Sequence, residues 1–358
     1  MRAGKPAAAV EFMGEEKPRG RVPSWVWSVV RIAVIAVLFV FLFRSGQLDA
    51  AKLKLLWSNP LPFLSGTVLL ILGGAIGVKR WQKLLEVHQI AVPYWDAVRL
   101  TFIGFFFSSV IPGAVSGDVV KAYYVVKGRE KKAEAITSIL LDRVLGLYSM
   151  VATAVVVITA AWVMKLLGRG MPIWSDPRVS TISIMVWGIF LGMTLAFAFS
   201  WSRRLRDSRF MHWILEKTPG EKLVRKFYDA LYVYGQHPKK SFTALLYSFV
   251  CQTPLYLGIY FMSRTVQVEG IGLAGYLFLF PVGLIFNALP ILPGGLGTGE
   301  VGFEWLFNLF HSDQGAEIAF LFHVGFILIA FGIGGIFYLV GKKEYKIYMN
   351  GSEAPPSQ

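Results

Sequence analysis

Charge is scarce in this chain: only 16% of its 358 residues are charged, against about 25% in a typical soluble domain. Cysteine is nearly absent. The single Cys251 sits in an apolar run, so there is no disulfide framework and no cysteine-based metal site. His311 and His323 have no metal-ligand spacing around them. A Gly-Lys-Ser/Thr phosphate loop is missing, and no βαβ pattern surrounds the glycine-rich stretch at 293–300. The segments SSVIPG, VSGD and HVG (323–325) do not build the GxSx pattern of an intramembrane serine protease. No polar stretch is long enough for a separate catalytic domain. These absences predict a protein that is not an enzyme and carries no metal or cofactor. Acids are also few, 22 against 36 Lys and Arg, for a net charge of +14. With no folded soluble basic module to hold it, nucleic acid is not expected as a partner; in a membrane protein, basic loops mark the cytoplasmic side.

What is abundant is apolar sequence: 55% hydrophobic residues and a mean hydropathy of +0.54. About 20 apolar residues span a bilayer as a helix. Six segments fit: 25–43, 61–79, 135–161, 180–201, 241–263 and 317–340. The first is too long for a signal h-region and lacks a clean cleavage site, so it reads as an uncleaved span. Two further apolar stretches are broken, 97–126 at Pro112 and Gly113, and 271–311 by PGGLGTGE at 293–300. With the N-terminus cytoplasmic, 27 of the 36 Lys and Arg fall inside, seven outside, and Arg31 and Arg143 within spans. The loop at 79–99 supplies four of the inside set, including Arg80. This bookkeeping sends each broken segment back to the side it entered from, the first cytoplasmic and the second external. Both read as re-entrant hairpins.

The fold expected is therefore all-α and integral to the membrane, with about six transmembrane helices plus two re-entrant helical hairpins in an inverted repeat. Residues 1–24 form a cytoplasmic tail, 25–340 the membrane domain and 341–358 a second cytoplasmic tail. The halves run 25–164 and 180–340. Between them, the 202–240 loop carries a helix start at TPGE (218–221), with Thr218 as cap and Glu221 closing a capping box. Its apolar face would lie on the membrane surface or pack on the bundle.

Paired broken segments at matching positions of two halves point to a transporter's binding site. In the first, Pro112 and Gly113 break the chain, and Gly117 and Asp118 open a helix with Lys121 one turn on. Helix-end amides and Lys121 would hold an anionic group, with Asp118 orienting Lys121 or binding an ammonium group; the alternative is an ordinary N-cap with Lys121 snorkelling to the interface. In the second, Pro293, Gly294, Gly295 and Gly297 let the backbone turn sharply before Glu300, where a tight helix–helix turn is the alternative. A glutamate at membrane depth is costly and marks function by default. Asp142 and Arg143 are neighbours on a span, so each needs its own partner: Asp118, Glu300 or a phosphate for Arg143, or a structural ion pair tying span to hairpin. Gln252 with Pro254 marks a kink, and Asn287 and Glu304 flank the second hairpin.

The P-x-x-x-x-G-D-x-x-[RK] break, the acid–Arg pair of the following span and the P-G-G-x-G-x-x-E loop resemble the membrane domain of lysylphosphatidylglycerol synthase over residues 25–340. Two positions depart from the family pattern: Ser116, where a glycine is usual, and Lys121, where an arginine is usual. Lysine makes a point contact rather than a bidentate one. The resemblance implies a flippase-like domain that moves a lipid, without the soluble domain that aminoacylates it. The expected partner is a membrane lipid, a phospholipid or a polyprenyl or other glycolipid, together with lipid-biosynthesis enzymes. Its place would be the cytoplasmic membrane. The alternatives are a membrane-embedded transferase using a lipid-linked donor, and a non-transporting member of a lipid pathway.

Overall fold

The computed structural model describes residue 54 and residues 56–110, 116–126, 131–170, 172–201, 229, 232–287 and 298–341. The expected first span, the hairpin tips with Pro112, Gly113, Pro293, Gly294, Gly295 and Gly297, the TPGE helix start and the C-terminal tail lie outside the described residues. Among the described residues every long element is helical and no strand occurs. Five helices of the described residues are long and apolar enough to cross a membrane: α1 (Pro60–Val87), α4 (Lys132–Leu166), α5 (Pro177–Trp201), α6 (Pro238–Thr265) and α9 (Gly315–Val340). The shorter helices come in two pairs, α2 (Tyr94–Val110) with α3 (Ser116–Val126), and α7 (Leu273–Asn287) with α8 (Thr298–Leu309).

At the centre α1 and α6 pack antiparallel along a seam of small residues. A Cβ on Gly66 would lie 2.6 Å from the Gly258 carbonyl oxygen, and one on Gly73 would lie 2.8 Å from that of Cys251. Small side chains let membrane helices approach this closely. The two helices are built alike. Each is 28 residues long and opens with a proline in its first turn, Pro60 and Pro238, where the missing N–H costs nothing. Each ends on a glutamine in the left-handed region, Gln89 at φ 58° and Gln267 at φ 55°. The closing bonds also correspond: the Ile90 amide donates to Leu85 at 3.1 Å, and the Val268 amide to Ser263 at 3.2 Å. One register relates all three features, and the antiparallel packing turns one helix end for end on the other.

Both short pairs fold back on themselves. In the second, ring contacts join Tyr276 to Phe307 and Phe280 to Phe303; the numbers rise on one helix as they fall on the other, so α7 and α8 are antiparallel. In the first, a Cβ on Gly117 would collide with the Gly104 carbonyl oxygen and Ser108 Oγ, so any larger residue would push α3 off α2. The last span touches both pairs. Its π-helical stretch, Ala330–Gly335, brings Gly334 against the Phe102 carbonyl of α2, while its first turn is tied to α8 by Glu304, which accepts from the Ala316 amide at 3.0 Å.

Candidate functional site

Helix α1 continues two turns past the expected end of its span. Arg80, assigned above to a basic loop, is therefore part of the helix, and its side chain is only 12% exposed. The physical reason is its partner. Arg80 Nε donates to Asp142 Oδ1 at 2.7 Å, so the charge that should end an apolar span is neutralised inside the bundle. Arg80 also approaches Cys251 Sγ at 3.8 Å. A Cβ on Gly146, one turn along from Asp142, would lie 3.2 Å from the Arg80 guanidinium.

Arg143 points to the other side of α4. It donates to both oxygens of Asp118 at 2.7 and 3.0 Å, a fork-on-fork pair. This couples α4 to the first turn of α3. Of the partners weighed for Arg143, the structure selects Asp118. Asp118 therefore pairs with Arg143, and its carboxylate makes no ion pair with Lys121. The Arg143 side chain is 54% exposed and shares its helix face with the exposed Leu140, Val144 and Leu147.

Lys121 is the anomaly. It is 5% exposed, and its ammonium lies 3.5 Å from the centroid of the Trp81 ring. Trp81 is fixed in turn by its indole N–H, which donates to Ser138 Oγ at 3.2 Å. No carboxylate of the described residues lies within ion-pair distance of Lys121. Three cations thus face two carboxylates, Asp118 and Asp142, and the surplus positive charge is the buried lysine. A buried ammonium costs several kcal/mol on the order of an ion's desolvation; the indole face returns roughly 2. The arrangement is suited to an anion. At 1.5 Å per residue, Arg80 and Asp142 lie about 10–15 Å along their helices from the basic end marked by Lys131 and Lys240.

Beside this cluster Gln252 of α6 donates to the Gly146 carbonyl at 2.7 Å and to Ser149 Oγ, and accepts from the Tyr256 hydroxyl. Gln252, two residues before Pro254, is thus a polar tie between α6 and α4.

In the second helix pair Glu300, in the first turn of α8, meets His323 of α9, Oε1 to Nδ1 at 2.8 Å. Both are buried, at 5% and 7%. Sequence reading left His323 isolated because 23 residues separate it from Glu300. Among the described residues no group of three metal-ligating side chains occurs.

A sequence profile of the lysylphosphatidylglycerol synthase TM region matches residues 28–337. The chain belongs to this family. A UPF0104 membrane protein of Pyrococcus horikoshii is 24% identical over 338 aligned residues, covering 87% of this chain and 97% of that protein. The family match spans both helix pairs and the residues of both acid–base contacts. It makes this a multi-pass membrane protein with a lysylphosphatidylglycerol synthase-like domain, which points to lipid metabolism or transport.

Proposed function

We propose that this lysylphosphatidylglycerol synthase-like protein is a lipid translocase of the cytoplasmic membrane. A polar or anionic headgroup, of a phospholipid or of a polyprenyl or other glycolipid, crosses through the bundle while its tails stay in the bilayer. The observation that carries the reading is Lys121, a buried ammonium that lacks its own carboxylate, beside a half-exposed Arg143. A headgroup phosphate supplies the missing negative charge. The apolar face of Leu140, Val144 and Leu147 next to Arg143 suits acyl or prenyl chains.

Element lengths support the hairpin reading. Helices of 17, 11, 15 and 12 residues reach about 25, 17, 22 and 18 Å, short of a hydrocarbon core of about 30 Å. Two short helices that return to the side they entered from fit these lengths. The basic bias of the loops supports N- and C-termini on the cytoplasmic side.

Reconstitution tests the reading. Vesicles containing the protein and a headgroup-labelled anionic phospholipid should show crossing of unmodified lipid. Lys121→Met should slow it by roughly tenfold or more, as expected for loss of a charge-assisted contact of about 1.5–3 kcal/mol. The same change should not lower the thermal midpoint, because it removes a buried charge that had no anion. Unchanged crossing by Lys121→Met would refute the site, and a new lipid product without crossing would favour a transferase.

A further inference from the structure

Five charged side chains meet beside the first helix pair, and their balance limits what they can take. Arg80, Lys121 and Arg143 are positive, and Asp118 and Asp142 are negative. The strongest charges acting on Lys121 are the other four members, Asp142 and Asp118 ahead of Arg143 and Arg80. Asp142 feels Arg80, Lys121 and Arg143, and Arg143 feels Asp118, Asp142 and Arg80. The group is therefore one electrostatic unit held by α1, α3 and α4. Three cations against two carboxylates leave it at +1. The excess sits on a lysine that is 5% exposed, with its ammonium against the Trp81 ring.

The contacts narrow the anion further. Asp118 offers two oxygens to the Arg143 fork, at 2.7 and 3.0 Å. A phosphodiester also offers two unesterified oxygens and one negative charge, so it can replace the carboxylate on that fork one for one. Lys121 follows Asp118 by one turn on the same face of α3, so its ammonium can meet one of those oxygens. A phosphate monoester or a diphosphate brings a further charge. Arg80 does not serve it, because its contact with Asp142 is enclosed on both sides. Such a headgroup turns the sum negative in a largely buried site, which is costly. A zwitterionic headgroup brings its own cation and leaves the surplus in place.

We infer that the Lys121–Arg143 site selects lipid headgroups that carry a single net negative charge on a phosphodiester, over zwitterionic headgroups and over phosphate monoesters and diphosphates. Asp118 is the carboxylate that the phosphate displaces from Arg143, and its charge sets which class fits. This inference rests on the translocase reading above and names its substrate class, and the test separates the two.

Binding is read apart from movement. Purified protein in a neutral detergent receives equal amounts of phosphatidylglycerol, phosphatidic acid and phosphatidylcholine with the same acyl chains. The pH is about 8, where a phosphate monoester carries close to two charges. Native mass spectrometry counts the lipids retained. The wild type should retain phosphatidylglycerol over either competitor by roughly tenfold or more, the worth of one charge-assisted contact. Asp118→Asn adds one positive charge to the sum and should shift the preference to phosphatidic acid. Lys121→Met brings the sum to zero and should remove the preference for phosphatidylglycerol over phosphatidylcholine. Equal retention of the three lipids by the wild type, or an order that neither variant changes, overturns the inference. Chain-labelled forms of the same lipids are then followed across vesicles containing the protein. Crossing without headgroup preference overturns the inference and keeps the translocase. Selective retention without crossing sinks the translocase reading and leaves the charge selection standing. Glycerophosphoglycerol, the same headgroup without chains, should not displace the lipid; displacement at equal concentration would overturn the lipid assignment in favour of a soluble phosphodiester.

Discussion

Arg80 and Arg143 bring the same guanidinium into one cluster and hold their acids under different conditions. The Arg80–Asp142 contact is enclosed on both sides, with side chains 12% and 13% exposed. Removing one partner there strands a buried charge, at about 3–5 kcal/mol. The Asp118–Arg143 contact has one partner 54% exposed, and solvent or headgroups can replace the lost carboxylate, so its loss should cost about 1 kcal/mol or less. Thermal unfolding in detergent should therefore show a large drop for Asp142→Asn and a small one for Asp118→Asn. Equal drops would mean that Arg143 is sealed in the folded protein. The contrast gives the two acids different work. Asp142 ties α4 to α1 inside the bundle, and on the translocase proposal Asp118 holds Arg143 where an anionic headgroup could replace the carboxylate.

Helix α1 ends in a set of borrowed partners. Its last carbonyls would be unsatisfied, yet Tyr234 donates to Leu84 at 3.3 Å, Lys240 to Glu86 at 2.9 Å and Lys131 to His88 at 2.9 Å. Two of these donors are cations, which suit the negative end of a helix. Three separate parts of the chain are clamped there: α6, the helical turn before it and the segment leading into α4. His88 packs edge-on against Tyr234 at 4.9 Å, and burial holds its imidazole below the usual histidine range, with Lys131 and His237 adding to the effect and Glu134 opposing it. A depressed histidine favours the neutral form in the fold. Its contribution is complete above the unfolded value of about 6.5 and is lost as pH falls through the lower folded value. Backbone amides around 85–90 should then have lower protection factors, intrinsic exchange divided out, at mildly acidic pH than at neutral pH, and His88→Gln should remove that difference. Protection factors that do not change with pH in the wild type would show that His88 contributes nothing to the clamp.

Across the whole molecule, the apolar periods of the sequence locate every long helix that the structure describes, because a span of about 20 apolar residues has few alternatives in a bilayer. Asp118, Asp142, Arg143 and Glu300 were legible for a related reason: charge in an apolar run must be accounted for. Asp118 was among the partners weighed for Arg143, but the pairings of Asp142 and Glu300 were not legible. Arg80 resembled a loop residue because the rule that ends a span at a charge cannot see Asp142 from another helix. His323 looked isolated because its acid lies across a hairpin. Charge also differs between the halves, with three cations around the first hairpin's second arm and no Lys or Arg in residues 265–341. On the translocase proposal, that asymmetry places the anion site at the first helix pair and requires the two pairs to open to opposite faces. Thiol labelling can decide the geometry, because the native Cys251 is buried and should stay silent toward an impermeant reagent. Ser116→Cys, at the start of α3, should label in inside-out vesicles, and Thr298→Cys, at the start of α8, in right-side-out ones. Labelling of both from a single face under every condition would rule out opposed hairpins and, with them, a headgroup path that opens to each side in turn.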